Sequence, residues 1–190
     1  MTSFFPVVRT AEVPPPTIDF FLGQTFAYSN DLSGSEPSLA VLSSPEDAHD
    51  LTTATEAGLA RDLRPSSFID LSPAQVSANL GEPANRYFVV VDERSVKDDT
   101  VLLVKTVYFD EDGNDLVTKD GKLPVVQSVR VTGVAAQPTL IALDVGSLGM
   151  EELQSMANDS EAGVYGPDRL PDIGESKEGG VAPRKALSAE

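Results

Sequence analysis

Apolar residues along the chain come in short runs separated by polar, glycine- and proline-containing punctuation, and the spacing of those runs predicts most of the elements. The clearest signals begin after residue 66. Phe68-Ile69-Asp70 reads as a short strand or its tail, leading into Ser72-Pro73-Ala74-Gln75. That tetrapeptide is a capping box with proline at the first helical position, where a missing N–H costs nothing. The helix it opens ends near Leu80, with Gly81 placed for a left-handed cap and Pro83 just beyond. Tyr87-Phe88-Val89-Val90-Val91 predicts a buried strand that stops at Asp92. Residues 101–109 predict a longer strand. Residues 125–131 alternate, with Val125, Val129 and Val131 on one face and Ser128 and Arg130 on the other. Asp112-Gly113 and Asp120-Gly121, which tolerate positive φ, are hairpin turn signals between them. Residues 139–143 predict another buried strand ending at Asp144, and Ser147 an N-cap for a closing helix to about Met156.

The flanks are less regular. Residues 45–63 predict a first helix: Ser44 caps it, Pro45 suits its first position, and Ala48, Leu51, Thr55, Leu59 and Leu63 share a face. Threonines at 52, 53 and 55 lower its intrinsic propensity, so it would depend on packing. Upstream, Pro14-Pro15-Pro16, Gly23, Gly34 and Pro37 interrupt short apolar pieces. Consecutive prolines favour an extended segment and oppose helix, so residues 1–44 are expected to form a proline-containing arm. Residues 158–190 lack periodicity and are expected to be a disordered acidic tail, whose deletion would leave the melting temperature nearly unchanged. Between them, residues 45–157 are expected to form one mixed α/β domain. It would have a single small mixed sheet, a strand–helix–strand crossover, a β-hairpin region and a closing helix.

Composition narrows the chemistry. The chain has no cysteine, no tryptophan and a single histidine, His49, which excludes thiol nucleophiles, thiolate metal sites and disulfides. A Ser-His-Asp triad would need His49, yet that residue sits among Asp47 and Asp50 and no Gly-x-Ser-x-Gly elbow occurs. Phosphate-cradling glycine loops are also missing. Thirty acidic residues against fourteen basic ones give a net charge of −16, and the basic residues are dispersed. Nucleic acid and anionic membrane are therefore not expected as partners. No apolar run is long enough to span a bilayer, and the start lacks a basic, apolar leader, so a cytoplasmic protein is expected.

Two groups of oxygen ligands remain. Asp70, Asp92 and Asp144 each follow a predicted strand. On parallel neighbours they would gather at one sheet edge, where they could bind Mg²⁺ or work as acid and base. Aspartate also favours strand ends because it bonds nearby backbone donors, and we read all three in that structural sense first. Asp110, Asp112 and Asn114 match the first three ligand positions of an EF-hand calcium loop. The match then breaks, because the sharp-turn glycine is Asp115 and the bidentate glutamate is Gly121. An acidic hairpin turn is the better description. No cofactor is expected; Mg²⁺ at the first group and Ca²⁺ at the second are the candidates.

Residues 68–75, the Tyr87–Val91 strand with its terminal Asp92, and residues 101–104 together resemble an uncharacterised family of small bacterial and fungal α/β domains of unknown function. Residues 139–144 and 148–157 are compatible with its pattern, so the resemblance covers about half the chain. It implies a fold and no activity. The expectation is a non-enzymatic protein-interaction module for an unidentified protein partner. The alternative is a carboxylate-dependent, Mg²⁺-assisted hydrolase or phosphotransferase working through Asp70, Asp92 and Asp144.

Overall fold

The computed structural model describes residues 3–58, 63–82, 84, 86–108 and 123–167. Their centre is a mixed five-stranded sheet in the order β2-β1-β3-β4-β5. The strands are β1 (Phe5–Arg9), β2 (Leu39–Leu42), β3 (Tyr87–Val91), β4 (Thr100–Val107) and β5 (Val125–Thr132). β1 pairs in parallel with β2 on one side and β3 on the other; β4 and β5 continue the sheet antiparallel. The expected small mixed α/β sheet with a hairpin region is present.

The N-terminal segment is no arm. β1 is an interior strand buried at all five positions, as a strand with parallel neighbours and two covered faces requires. The prolines that suggested an extended arm instead open α1 (Pro15–Ser33), with Pro15 and Pro16 at its first two positions. Ile18, Phe21, Leu22, Thr25 and Ser29 bury one helical stripe. Gly34 ends it in the left-handed region at φ 65°, donating its N–H to Asn30 O at 2.7 Å.

Residues 45–63 differ from expectation as well. Among the described residues of this stretch only Pro45–Asp50 is helical, as a short 3₁₀ turn whose capping box joins Ser44 and Asp47. The chain then runs along the free edge of β2. Thr55 donates its N–H to Leu39 O at 2.8 Å and accepts the Val41 N–H on its hydroxyl at 2.8 Å. Threonine side chains offer the backbone such alternatives to a helix, and here the strand edge takes them. Leu59 to Asp62 lie outside the described residues.

Phe68-Ile69-Asp70 forms a turn, not a strand, anchored by the fully buried Phe68. The crossover runs from β2 through α2 (Pro73–Leu80) to β3. The predicted cap of α2 is in place: Gln75 N–H reaches Ser72 Oγ at 3.4 Å and Ser72 N–H reaches Gln75 Oε1 at 2.9 Å. A short helix, α3 (Glu93–Asp98), follows β3. The strand expected over 139–143 is instead α4 (Ala136–Asp144), with Ala136, Leu140 and Leu143 buried at helical spacing. An apolar run this short carries no period of its own. The closing helix α5 (Met150–Asn158) starts at Gly149 rather than Ser147, whose hydroxyl donates to Ala142 O. Among the described residues no helix is long and apolar enough to cross a membrane.

Helices α1, α4 and α5 cover one face of the sheet, over Val7, Val89, Leu103 and Val131. The 3₁₀ turn, Phe68 and α2 cover the other, over Val8, Phe88, Val90 and Val104. Buried polar links fix α1 to α4: the Thr25 hydroxyl donates to Val134 O and accepts the Gln137 N–H at 2.8 Å. Gln137 in turn accepts the Ser38 N–H and donates to Glu36 O, both at 3.1 Å.

The outer edge of β5 is closed by residues expected to belong to a loose tail. Thr132 N–H donates to Tyr165 O and Tyr165 N–H to Arg130 O, each at 2.9 Å, while Gln154 Nε2 donates to Ser128 O at 3.0 Å. Residues 158–167 are thus docked, and residues 168–190 lie outside the described residues. Truncation after Asp159 is expected to cost about 1–3 kcal/mol in a chemical denaturation series, from two backbone bonds and a half-buried tyrosine. Exchange of the Thr132 amide should accelerate with it; an unchanged midpoint would mean that this segment does not hold the edge.

Candidate functional site

The parallel trio β2-β1-β3 defines the edge at which a site is to be sought. β1 feeds the crossover to β2 on one side, and β2 returns past it to β3 on the other, so the C-terminal end of β1 is a topological switch point. Open α/β sheets receive ligands at such an edge because the diverging crossovers leave a crevice there.

Asp70 and Asp92 both come to this edge. Asp70 is exposed, holds a left-handed backbone at φ 63°, and donates its N–H to Thr10 O at 3.0 Å. Asp92 follows β3 and is fully engaged. It caps α3 through the Ser95 N–H at 3.0 Å, and it receives both terminal nitrogens of Arg130 at 3.0 and 2.5 Å. Burial pushes the Asp92 carboxyl up, but the Arg130 hydrogen bonds and charge together with the Ser95 donors outweigh it and bring it down to about 2. Arg130 stands opposite Leu102 on β5, so this pair spans β4 to join β5 to the end of β3. Asp92 is a fixed anion in a structural tie.

Asp144 lies elsewhere. It ends α4 and accepts a hydrogen bond from Ser3 Oγ at 2.6 Å, in a pocket shared with Phe5 and Tyr87 at the N-terminal ends of β1 and β3. From Tyr87 to Asp92 is about 16 Å of strand. The three aspartates therefore cannot share one ion. His49 is exposed on the 3₁₀ turn. Asp110, Asp112 and Asn114 lie outside the described residues, and among those described no three His, Cys, Asp or Glu side chains cluster as a cation site.

Sequence reasoning missed a large concavity. On the α1 face, next to the same edge, a cleft of about 670 Å³ opens between α1, α3 and the ends of β4 and β5. Phe21, Val91, Val101 and Val134 give it an apolar floor, and Phe20 stands 55% exposed at its rim. On the polar wall Asp98 accepts Arg94 Nε at 2.7 Å and the Thr100 hydroxyl at 2.6 Å. Burial raises the Asp98 carboxyl, but the Thr100 and Arg94 bonds prevail and hold it below the usual carboxylate range. Asp99 turns the chain at φ 55°, and its carbonyl accepts the Gly133 N–H at 2.7 Å. A Cβ at Gly133 would sit 2.8 Å from that carbonyl, so the base of the cleft requires glycine. The adjacent Phe20-Phe21 pair was the available sequence signal, since one of two neighbours on a helix can face the core and the other solvent.

Comparison of the chain with protein-family models, curated proteins and solved structures returns no match.

Two outcomes follow from this geometry. Asp92 has a folded pKa below its unfolded value near 3.9, so its contribution is complete above about pH 4 and is lost as pH falls toward 2. Arg130→Met should be less stable than the wild type at neutral pH, with the gap narrowing over that acid window; a gap independent of pH would contradict the pairing. Gly133→Ala should destabilise by about 1–3 kcal/mol through the clash with Asp99, measured by thermal unfolding.

Proposed function

We propose that the chain is a non-enzymatic α/β domain that binds a protein partner, acting in the cytoplasm, and that the cleft between α1 and α3 is its binding surface. The observation that carries this is the exposed Phe20 beside an apolar floor, in a cleft where Arg94 and Asp98 already satisfy one another. Such a surface offers burial and shape before it offers an organised acid, base and nucleophile. A net charge of −16 favours a partner segment that is basic or neutral around the apolar side chain it inserts.

The Mg²⁺-assisted hydrolase or phosphotransferase has less support. It keeps Asp70 and Asp92 on one edge, but Asp92 is committed to Arg130 and Asp144 stands at the other end of the sheet.

A photo-crosslinking phenylalanine analogue placed at Phe20 should give one discrete adduct in cell extract, absent when the analogue replaces Val145, which is exposed at the opposite edge. The purified partner should then bind Phe20→Glu at least about tenfold more weakly, as loss of one buried aromatic anchor implies. Equal labelling from both positions, or a partner indifferent to Phe20→Glu, would refute the cleft as the surface. Turnover of a phosphate ester or other hydrolysable substrate that Asp70→Asn abolishes would favour the enzyme.

A further inference from the structure

Arg9 ends β1 at the switch point, and the residue is only 7% exposed. One terminal nitrogen donates to Arg64 O, while its Nε is buried with no hydrogen-bond partner. Among the described residues no carboxylate pairs with it; Glu12 acts on it only through space. A buried guanidinium without a carboxylate bonded to it is an unfavourable arrangement, and a chain with thirty acidic residues does not lack carboxylates to supply one.

The surroundings are built around this cation. The Arg64 carbonyl that receives Arg9 also receives the Ser43 hydroxyl at 3.3 Å, and Ser66 Oγ donates to the Arg9 carbonyl at 2.8 Å. The backbone at residue 64 is therefore held against Arg9, while the Arg64 side chain stays 69% exposed and reaches Asp47. Asp47 does not depend on Arg64 alone, because it also accepts the N–H groups of Ser43 and Ser44 at 2.9 Å each. Arg64 can leave it without stranding a bare carboxylate. Among the described residues the only carboxylate paired within the cluster is Asp47, which backbone donors already satisfy, against the two guanidinium groups of Arg9 and Arg64.

We infer that Arg9 and Arg64 form a binding site for a small oxyanion, a carboxylate or phosphate group, at the C-terminal edge of β1 and β2. The anion accepts from the unpartnered Arg9 Nε and from Arg64 swung off Asp47, a charge-assisted arrangement suited to a planar fork of donors. Neither arginine lines the α1–α3 cleft, so the two sites are distinct.

The test uses the full chain at neutral pH, titrated separately with sodium phosphate and sodium acetate, with sodium chloride holding ionic strength constant. Melting temperature and the Arg9 Nε–Hε resonance are followed. At least one anion should raise the melting temperature and shift that resonance saturably, and Arg64→Gln should weaken the response about tenfold, the loss expected for one charge-assisted bond. Arg9→Met should abolish the response. Saturation by phosphate alone assigns a phosphate-bearing ligand, and saturation by acetate a carboxylate. If neither anion moves the Arg9 resonance, or Arg64→Gln responds as the wild type does, the site is refuted. Those two readouts decide the matter even if Arg9→Met does not fold.

Discussion

The whole arrangement depends on five residues, Phe5–Arg9, being held as the interior strand of a sheet whose neighbours on both sides run parallel to it. Parallel neighbours cannot be joined by tight turns, so each must be reached by a crossover across a face of the sheet. The crossover to β2 lays α1 over Val7, and the one from β2 to β3 lays α2 and Phe68 over Val8. Because these cross opposite faces and run to opposite sides of β1, its C-terminal end becomes the place where elements diverge. Arg9, Asp70 and Asp92 gather there for that reason, and the α1–α3 cleft opens beside them.

Charge at this edge serves mainly as fastening. Among the described arginines, Arg64, Arg94 and Arg130 each hold an aspartate, and Arg86 lies over the Tyr87 ring at 5.5 Å. The Arg130–Asp92 pair contributes most to the architecture, since it ties β5 across β4 to the β3–α3 junction while Asp92 caps α3. An exposed ion pair contributes little, whereas this one is largely shielded, with Arg130 only 13% exposed, and breaking it would leave a shielded charge unpaired. Arg9 departs from the pattern, and that departure marks it as a place for a ligand's charge.

Elements with local signals were legible in the sequence. β4 and β5 have apolar runs or alternation long enough to fix their type, β3 is built of aromatic and β-branched residues alone, and the Ser72–Gln75 box marks α2 without tertiary help. The failures share a cause: each local pattern admitted two structures and distant contacts chose between them. The three prolines open α1 because the sheet gives its apolar stripe a surface to cover. Residues 139–143 are a helix because α1 and β3 lie beneath it, not because of any period in the run. Thr55 bonds to the edge of β2, a strand of four residues too short to announce that need. Once α1 was read as an arm, the cleft it walls could not be seen. Asp92 was legible as a residue at a strand end, but its role came from Arg130, thirty-eight positions away. Arg9 carried only a faint mark, a cation closing an otherwise apolar run.

The position of β1 is tested most directly by native-state hydrogen exchange read residue by residue under mild denaturant. If β1 is the interior strand, the Val7 and Val8 amides exchange only through global unfolding, with the same free energy and denaturant slope as Val89 and Val90. Val7 and Val8 exchanging freely while Val89 and Val90 remain protected would contradict it.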